Sequence, residues 1–399
     1  MMCSYINCKL DYFSMVRFAF LFILLFMFNM GCSGQQNHDC LNDEIDSLIN
    51  DLDITGLDIA VVKCDTVIYN QSFGYKNLNL KEKYNRDDIC WIGSISKTFV
   101  ATAIMQLVDA DKLNLEDDAL KYLKFPLRNP SYPDIPITIR MLLTHKSSIN
   151  DYGSWYSYDF INPNKNPDYN HYYLDFEPGA GYKYCNYNYN ILGAVIEGAT
   201  GCRFDDYIEN NITGPIGMYG SFNCNRLDST KFVTVYHYNE DDSEFEKSKV
   251  PYKSYKKYLV DDYSLGDTTG FLYPAAGMKT SAYELSKYMM MHMHNGRYKD
   301  RQILSPESEK EMRKINPGTV NYGLSFREYR GLISDEVLSG QTGGGTLGEK
   351  TAMIFHPEGK YGFVIITNGS RSRYIDGYED IHKRLIPILY KYLLSDESK

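Results

Sequence analysis

The chain has 399 residues, 43% of them hydrophobic, and a net charge of −9. It can bury a large core, as one big domain or a domain with a substantial insertion. The acidic balance and the lack of any sustained basic run exclude nucleic acid as a partner. Tyrosine is abundant at 36 residues and crowds with asparagine from Tyr152 to Asn190, so aromatic clusters alone are not read as stacking sites.

In chain order, the first residues to about Ser14 carry no pattern, and Met15 offers an internal start. Arg17 and the apolar run Phe18 to Phe28 then suit the h-region of a signal peptide and are short for a bilayer span. Gly31-Cys32 with a small polar stretch behind it resembles a bacterial lipoprotein signal, although Asn29 stands where leucine is usual. Residues 1–34 are therefore read as a signal peptide, a lipoprotein signal lipidated at Cys32, or a membrane anchor. Each would place the rest of the chain outside the cytoplasm, in the periplasm or anchored in the cell envelope. Six cysteines follow Cys32 without a recognisable framework, and buried free thiols are expected. No Cys/His cluster has zinc-ligand spacing, His292 and His294 are expected at the surface, and neither metal nor cofactor is called for.

A helix is expected near Leu41 to Leu52, then an antiparallel hairpin of Leu57 to Val62 and Thr66 to Tyr69 turning at Cys64-Asp65. Ile95, Phe99, Val100, Ala103, Ile104 and Leu107 recur at helical spacing, which predicts a core-facing helix ending near Asp111-Lys112. Ser94 stands in its first turn, with Lys97 three residues on and projecting from the same face. A serine hydroxyl needs a neighbouring base, and a lysine serves if desolvation lowers its pKa. Ser254 and Lys257 repeat the spacing, but in a polar Tyr/Lys stretch with no apolar helix behind it.

Thr138 is the expected N-cap of a short helix reaching His145, which is read as a structural hydrogen-bonder rather than a catalyst. Asp151 to Glu177 reads as a long loop of the kind that lines binding sites. Tyr184 and Asn186 follow on a tight connection before a helix predicted from Tyr189, where a phenol could relay a proton and an amide could orient a carbonyl. Phe222 to Gly266 reads as irregular. Thr280 or Ser281 should cap a helix carrying Leu285, Tyr288 and Met289. Leu338 to Gly345 is glycine-rich, and Thr351 to Phe355 and Tyr361 to Thr367 are strands about a Pro357-Glu358-Gly359 turn. A final amphipathic helix carries Ile381, Leu385 and Leu389, with a kink expected at Pro387. The expected fold is α+β: one antiparallel sheet from N- and C-terminal segments, flanked by helices, with an inserted mostly helical region.

Ser94-Ile95-Ser96-Lys97, Tyr184-Cys185-Asn186 and Gln341-Thr342-Gly343, in that order, resemble the three motifs of the serine β-lactamase and penicillin-binding-protein superfamily. The nearest likeness is to its class C β-lactamase branch, which also holds esterases and D-amino-acid-specific peptidases. Ile139 to His145, Glu177-Pro178-Gly179, Pro274 to Gly277 and His356-Pro357 match too, so the resemblance covers about Ile54 to Leu394 within a domain of residues 41–396. It implies a β-lactamase/transpeptidase-like fold and an acyl-enzyme on Ser94, with Lys97 and Tyr184 sharing the proton work. It further implies substrate contacts from Asn186, Gln341, Thr342 and Gly343, and an oxyanion hole of the Ser94 and Gly344 N–H groups.

Gln341 departs from the lysine or histidine usual there, which turns the expectation from substrates with a carboxylate toward uncharged esters or amides. Ser148 departs where glycine is frequent. The leading reading is an exported serine hydrolase acting on a small-molecule or peptidoglycan-derived substrate. The alternatives are a β-lactamase or D,D-carboxypeptidase of the envelope, and a non-catalytic envelope-binding protein. Nothing in these patterns specifies an oligomeric state.

Overall fold

An early and a late segment of the chain meet in one antiparallel sheet. The computed structural model describes residues 39–152, 156–248, 252–345, 348–375 and 377–395. The apolar run near the N-terminus and Cys32 lie outside the described residues. Among those residues no helix is long and apolar enough to cross a membrane.

The sheet strands are β1 (Gly56–Lys63), β2 (Thr66–Asn77), β3 (Glu82–Lys83), β4 (Arg327–Arg330), β5 (Val337–Gly344), β6 (Lys350–Phe355) and β7 (Tyr361–Gly369). They lie in the order β4-β5-β6-β7-β1-β2-β3, with the N-terminal β1 beside the C-terminal β7 and Ile59 opposite Ile365. Leu57, Ile59 and Val61 point to one face, where helix α1 (residues 39–51) and helix α8 (Asp380–Leu393) cover them. Ala60 and Val62 point to the other and join the core of the helical region. Burial on both faces explains why β1 reads as a continuous apolar run instead of an alternation.

The helical region between β3 and β4 holds α2 (Ser96–Asp109), α3 (Ile139–Leu143), α4 (Asn186–Thr200), α5 (Phe204–Ile208), α6 (Ala282–Met293) and α7 (Pro306–Arg313). Every residue of α2 from Ser96 to Met105 is buried, so this helix forms the axis of the second core. Thr138 caps α3 by accepting from Met141 N at 3.2 Å. Ser281 caps α6 through Glu284 N at 3.3 Å, and the buried Asp58 of β1 accepts from Ala282 N at 2.8 Å. Helix and sheet are thereby tied together beside the hairpin.

Several expectations change. His292 is buried, not at the surface: it packs edge-on between Tyr288 and Phe326, 3.5 Å from Glu309, because α6 buries nearly its whole circumference. Of the six described cysteines, all free thiols, Cys90, Cys185 and Cys224 are buried but Cys40 and Cys64 are exposed. Phe222 to Gly266 contains a hairpin, Tyr236–Asn239 with Glu244–Lys247. Just before it, Gly220–Ser221 pairs with Lys279–Thr280, which also pairs with Cys90–Trp91. Two-residue strands carry no period to read. Helix α4 begins at Asn186, three residues earlier than predicted, and α7 was not predicted despite Ser305 as N-cap and Pro306 at its first position.

Candidate active site

The pairing of Cys90–Trp91 with Lys279–Thr280 delivers the chain to a single 3-10 turn, Gly93–Ile95, from which α2 continues. Ser94 is half-buried at its crest, between α2 and the end of β5. The approach is close: a Cβ on Gly343 would stand 2.3 Å from Ile92 O, 2.5 Å from Thr351 Oγ1 and 2.9 Å from Ser94 N. Only glycine fits there, so the glycine-rich strand end is a packing requirement of the Ser94 turn. Gly93 itself has φ +52°.

Lys97 is wholly buried one turn along α2. Its Nζ donates to Ser94 Oγ at 3.0 Å, Asn186 Oδ1 at 2.7 Å and Ala275 O at 2.8 Å, which uses all three ammonium hydrogens. Burial, only partly offset by the Asp151 charge, lowers its pKa to about 7. The Tyr184 hydroxyl donates to Ser94 Oγ at 2.9 Å, and burial pushes that phenol up to about 12. One neighbour of the serine is therefore readily deprotonated near neutrality, while the other keeps its proton.

Asn186 opens α4, and its amide is oriented by its neighbours. Oδ1 faces Lys97, and Nδ2 donates to Asp151 Oδ2 at 2.9 Å. Asp151 also accepts from the N–H groups of Asn186 (2.8 Å) and Tyr187 (2.9 Å), a carboxylate on the free donors of a helix N-terminus. Asn190, one turn further, accepts from Ala275 N at 3.0 Å. The same helix thus carries one acceptor of the lysine and anchors the segment that carries another. The reading of the sequence missed Asp151, which lies 35 residues before Asn186 in a loop whose composition gives no hint of it.

His145 takes the structural part expected of it. Its Nδ1 accepts from Cys185 N at 3.1 Å and its Nε2 lies 3.2 Å from the Tyr322 hydroxyl, so the neutral Nε2–H tautomer satisfies both. Burial, with the Lys97 and Arg327 charges, holds its pKa well below the usual value. Its ring backs Tyr184, with centroids 4.3 Å apart. Ser148 has φ +61°, the left-handed conformation that makes glycine frequent at this position.

Gln341 is buried on β5 and donates from Nε2 to the Tyr322 hydroxyl at 3.2 Å, engaged with its own wall. Thr342 is half-buried, 3.4 Å from the Tyr329 hydroxyl. A cation does stand on the neighbouring strand. Arg327 of β4, paired with Gly340, lies 5.8 Å from the Tyr184 ring and 5.4 Å from the Tyr322 ring. The groups that face its guanidinium are tyrosines: Tyr329, Tyr322, Tyr182 and Tyr184. Residue-by-residue matching of the third motif cannot see a charge carried by the next strand. Among the described residues no group of three or more His, Cys, Asp or Glu could hold a metal ion.

Known proteins resemble this chain in sequence and in fold. Penicillin-binding protein 4* of Bacillus subtilis (strain 168) is 30% identical over 183 residues, 43% of this chain and 39% of its own length. The chain spans 39 to 62% of the length of the curated relatives it matches first. The octameric penicillin-binding protein homologue from Pyrococcus abyssi superposes with a TM-score of 0.68 at 24% identity, covering 89% of this chain and 77% of that one. A D-amino acid amidase from Ochrobactrum anthropi SV3 gives 0.68 at 17% identity, covering 91% and 100%. The beta-lactamase family matches from residue 41 to residue 384, and the chain belongs to that family.

Proposed function

We propose that this chain is an exported serine hydrolase that forms an acyl-enzyme on Ser94. The observation that carries the reading is the convergence of a desolvated lysine and a protonated tyrosine on one serine oxygen. Neutral Lys97 takes the Ser94 proton as Oγ bonds to the substrate carbonyl carbon. The carbonyl electron pair moves onto oxygen, which the Ser94 and Gly344 N–H groups receive. Collapse expels the alcohol or amine, protonated through Tyr184 or Lys97, and water releases the acyl group by the same steps in reverse order. The pKa directions support Lys97 as base and Tyr184 as relay.

Arg327 favours an ester, amide or lactam with a carboxylate near the reacting carbonyl, as in a peptide ending in a D-residue. The likeness to a penicillin-binding protein homologue supports the same class, and the likeness to a D-amino acid amidase supports an amide as the scissile bond. The Arg17 and apolar-run pattern supports export, and Gly31-Cys32 supports anchoring by lipidation at Cys32. The test is intact-mass spectrometry of the chain from Gln35 onward after a fluorophosphonate and, separately, a labelled penicillin, with Ser94→Ala as control. A fluorophosphonate adduct absent from the variant is expected. No adduct on the native protein would overturn the reading in favour of a non-catalytic binding protein. A stable penicillin adduct would identify the β-lactam-recognising alternative.

A further inference from the structure

Behind the turn that carries Ser94 lies a carboxyl group for which the mechanism above has no use. Glu349 directly precedes β6 and is 3% exposed. A Cβ built on Gly93 would meet Gly344 N at 3.1 Å and Glu349 Oε1 at 3.3 Å. The carboxyl therefore shares one small space with the backbone nitrogen proposed as half of the oxyanion hole, one residue from the other half. Its Oε2 has no hydrogen-bond partner. Lys350, the adjacent cation, is turned to Glu379 at 3.0 Å. The other titratable groups facing it are the Cys90 thiol and the Tyr252 and Tyr273 hydroxyls, all of them kept neutral by burial.

We infer that Glu349 is a positioning residue of the acyl-transfer site: neutral, it fills the space beside the Gly93–Ser94 and Gly343–Gly344 backbones, and ionised, it sets a negative charge against the substrate oxyanion. The inference rests on the serine hydrolase reading. An ionised carboxylate in this place would be both desolvated and unpaired, so burial raises the pKa of Glu349, to about 7. The charge opposes negative charge that develops only in the transition state, so it acts on kcat and leaves binding of the uncharged ground-state carbonyl nearly unchanged. Lys97 accounts for a rise of rate with pH, and Tyr184, held near 12, titrates too high to account for a fall near neutrality. Glu349 supplies that fall.

The test compares the pH dependence of kcat and KM for an uncharged aryl ester in wild type and Glu349→Gln, with fluorophosphonate labelling of both. Wild-type kcat should peak near pH 7, whereas the variant climbs to a plateau about five- to tenfold above wild type by about pH 9, and KM agrees within about twofold. Glu349→Met, also neutral, gives the same plateau if the amide disturbs folding. A protonated-carboxyl infrared band that is present in wild type and missing from Glu349→Gln, and so distinct from that of the buried Asp58, should vanish as pH rises through about 7. If Ser94 is labelled in both proteins and the profiles superimpose, the role given to Glu349 is wrong and the hydrolase reading stands. If neither protein is labelled, both fall.

Discussion

The chain carries the spacing Ser-x-x-Lys twice, and the two copies have different surroundings. Ser94 and Lys97 stand at the mouth of a helix buried on all sides, with the lysine wholly out of water and hydrogen-bonded to three acceptors. Ser254 lies on an exposed segment and donates to Asn225 Oδ1 at 2.6 Å. Lys257 opens a short π-turn and extends 5.5 Å above the Tyr258 ring. A spacing of three puts a hydroxyl and an amine on one helix face, but only desolvation makes the amine a base at neutral pH. Chemistry here comes from the apolar stripe behind the motif as much as from the motif.

The comparison is broken most directly at the lysines. Lys97→Met should lower kcat/KM for an ester by about 10²- to 10⁴-fold, the range for loss of a positioned general base, and Lys257→Met should leave it within about twofold. Wild-type rate should rise with pH through about 7 as Lys97 loses its proton. Stability should follow with a definite sign. The folded state lowers the Lys97 pKa, so between about 7 and 10 the unfolded chain binds more protons, and stability rises with pH across that window. Melting curves of Lys97→Met should show a shallower slope, the remainder coming from Lys279, which burial lowers to about 8. Arg327→Gln comes next in size. It should reduce kcat/KM about 10- to 100-fold for substrates with a carboxylate beside the reacting group and within about twofold for neutral esters. Equal losses on both would show that Arg327 acts on Tyr184 and not on substrate.

Much of this was legible because the signals are local. The stripe from Ile95 to Leu107, the cap at Thr138 and the apolar run of β1 each report burial through their own period, and the order of three motifs then supplied the family. What escaped was carried by contacts between distant segments. Asp151 reaches Asn186 across 35 positions, Arg327 reaches the site from the strand beside Gln341, and Glu349 is buried by a turn more than 250 residues earlier in the chain. A lone acidic or basic residue in a loop or short edge strand has no periodicity to betray it. His292 was misplaced for a related reason: a histidine near a helix end reads as polar, yet α6 is buried around nearly its whole circumference, and the ring packs edge-on against Tyr288 and Phe326 beside Glu309.

Asp151 offers the finest test, because it touches neither the nucleophile nor the base. Its carboxylate takes two helix N–H groups and the Asn186 amide, and through that amide it fixes an oxygen on Lys97. Asp151→Asn preserves size but removes the charge and puts an NH2 where an acceptor is needed. The expected cost is about 1–3 kcal/mol, a fall in Tm of roughly 2–8 °C. Loss of the carboxylate also removes the one neighbouring charge that favours protonated Lys97, so the ascending limb of the pH–rate profile should move to lower pH. A variant that melts earlier but keeps the wild-type limb would mean that Asp151 only anchors α4. A shifted limb would mean that the environment separating Lys97 from Lys257 includes a tuned charge as well as the absence of water.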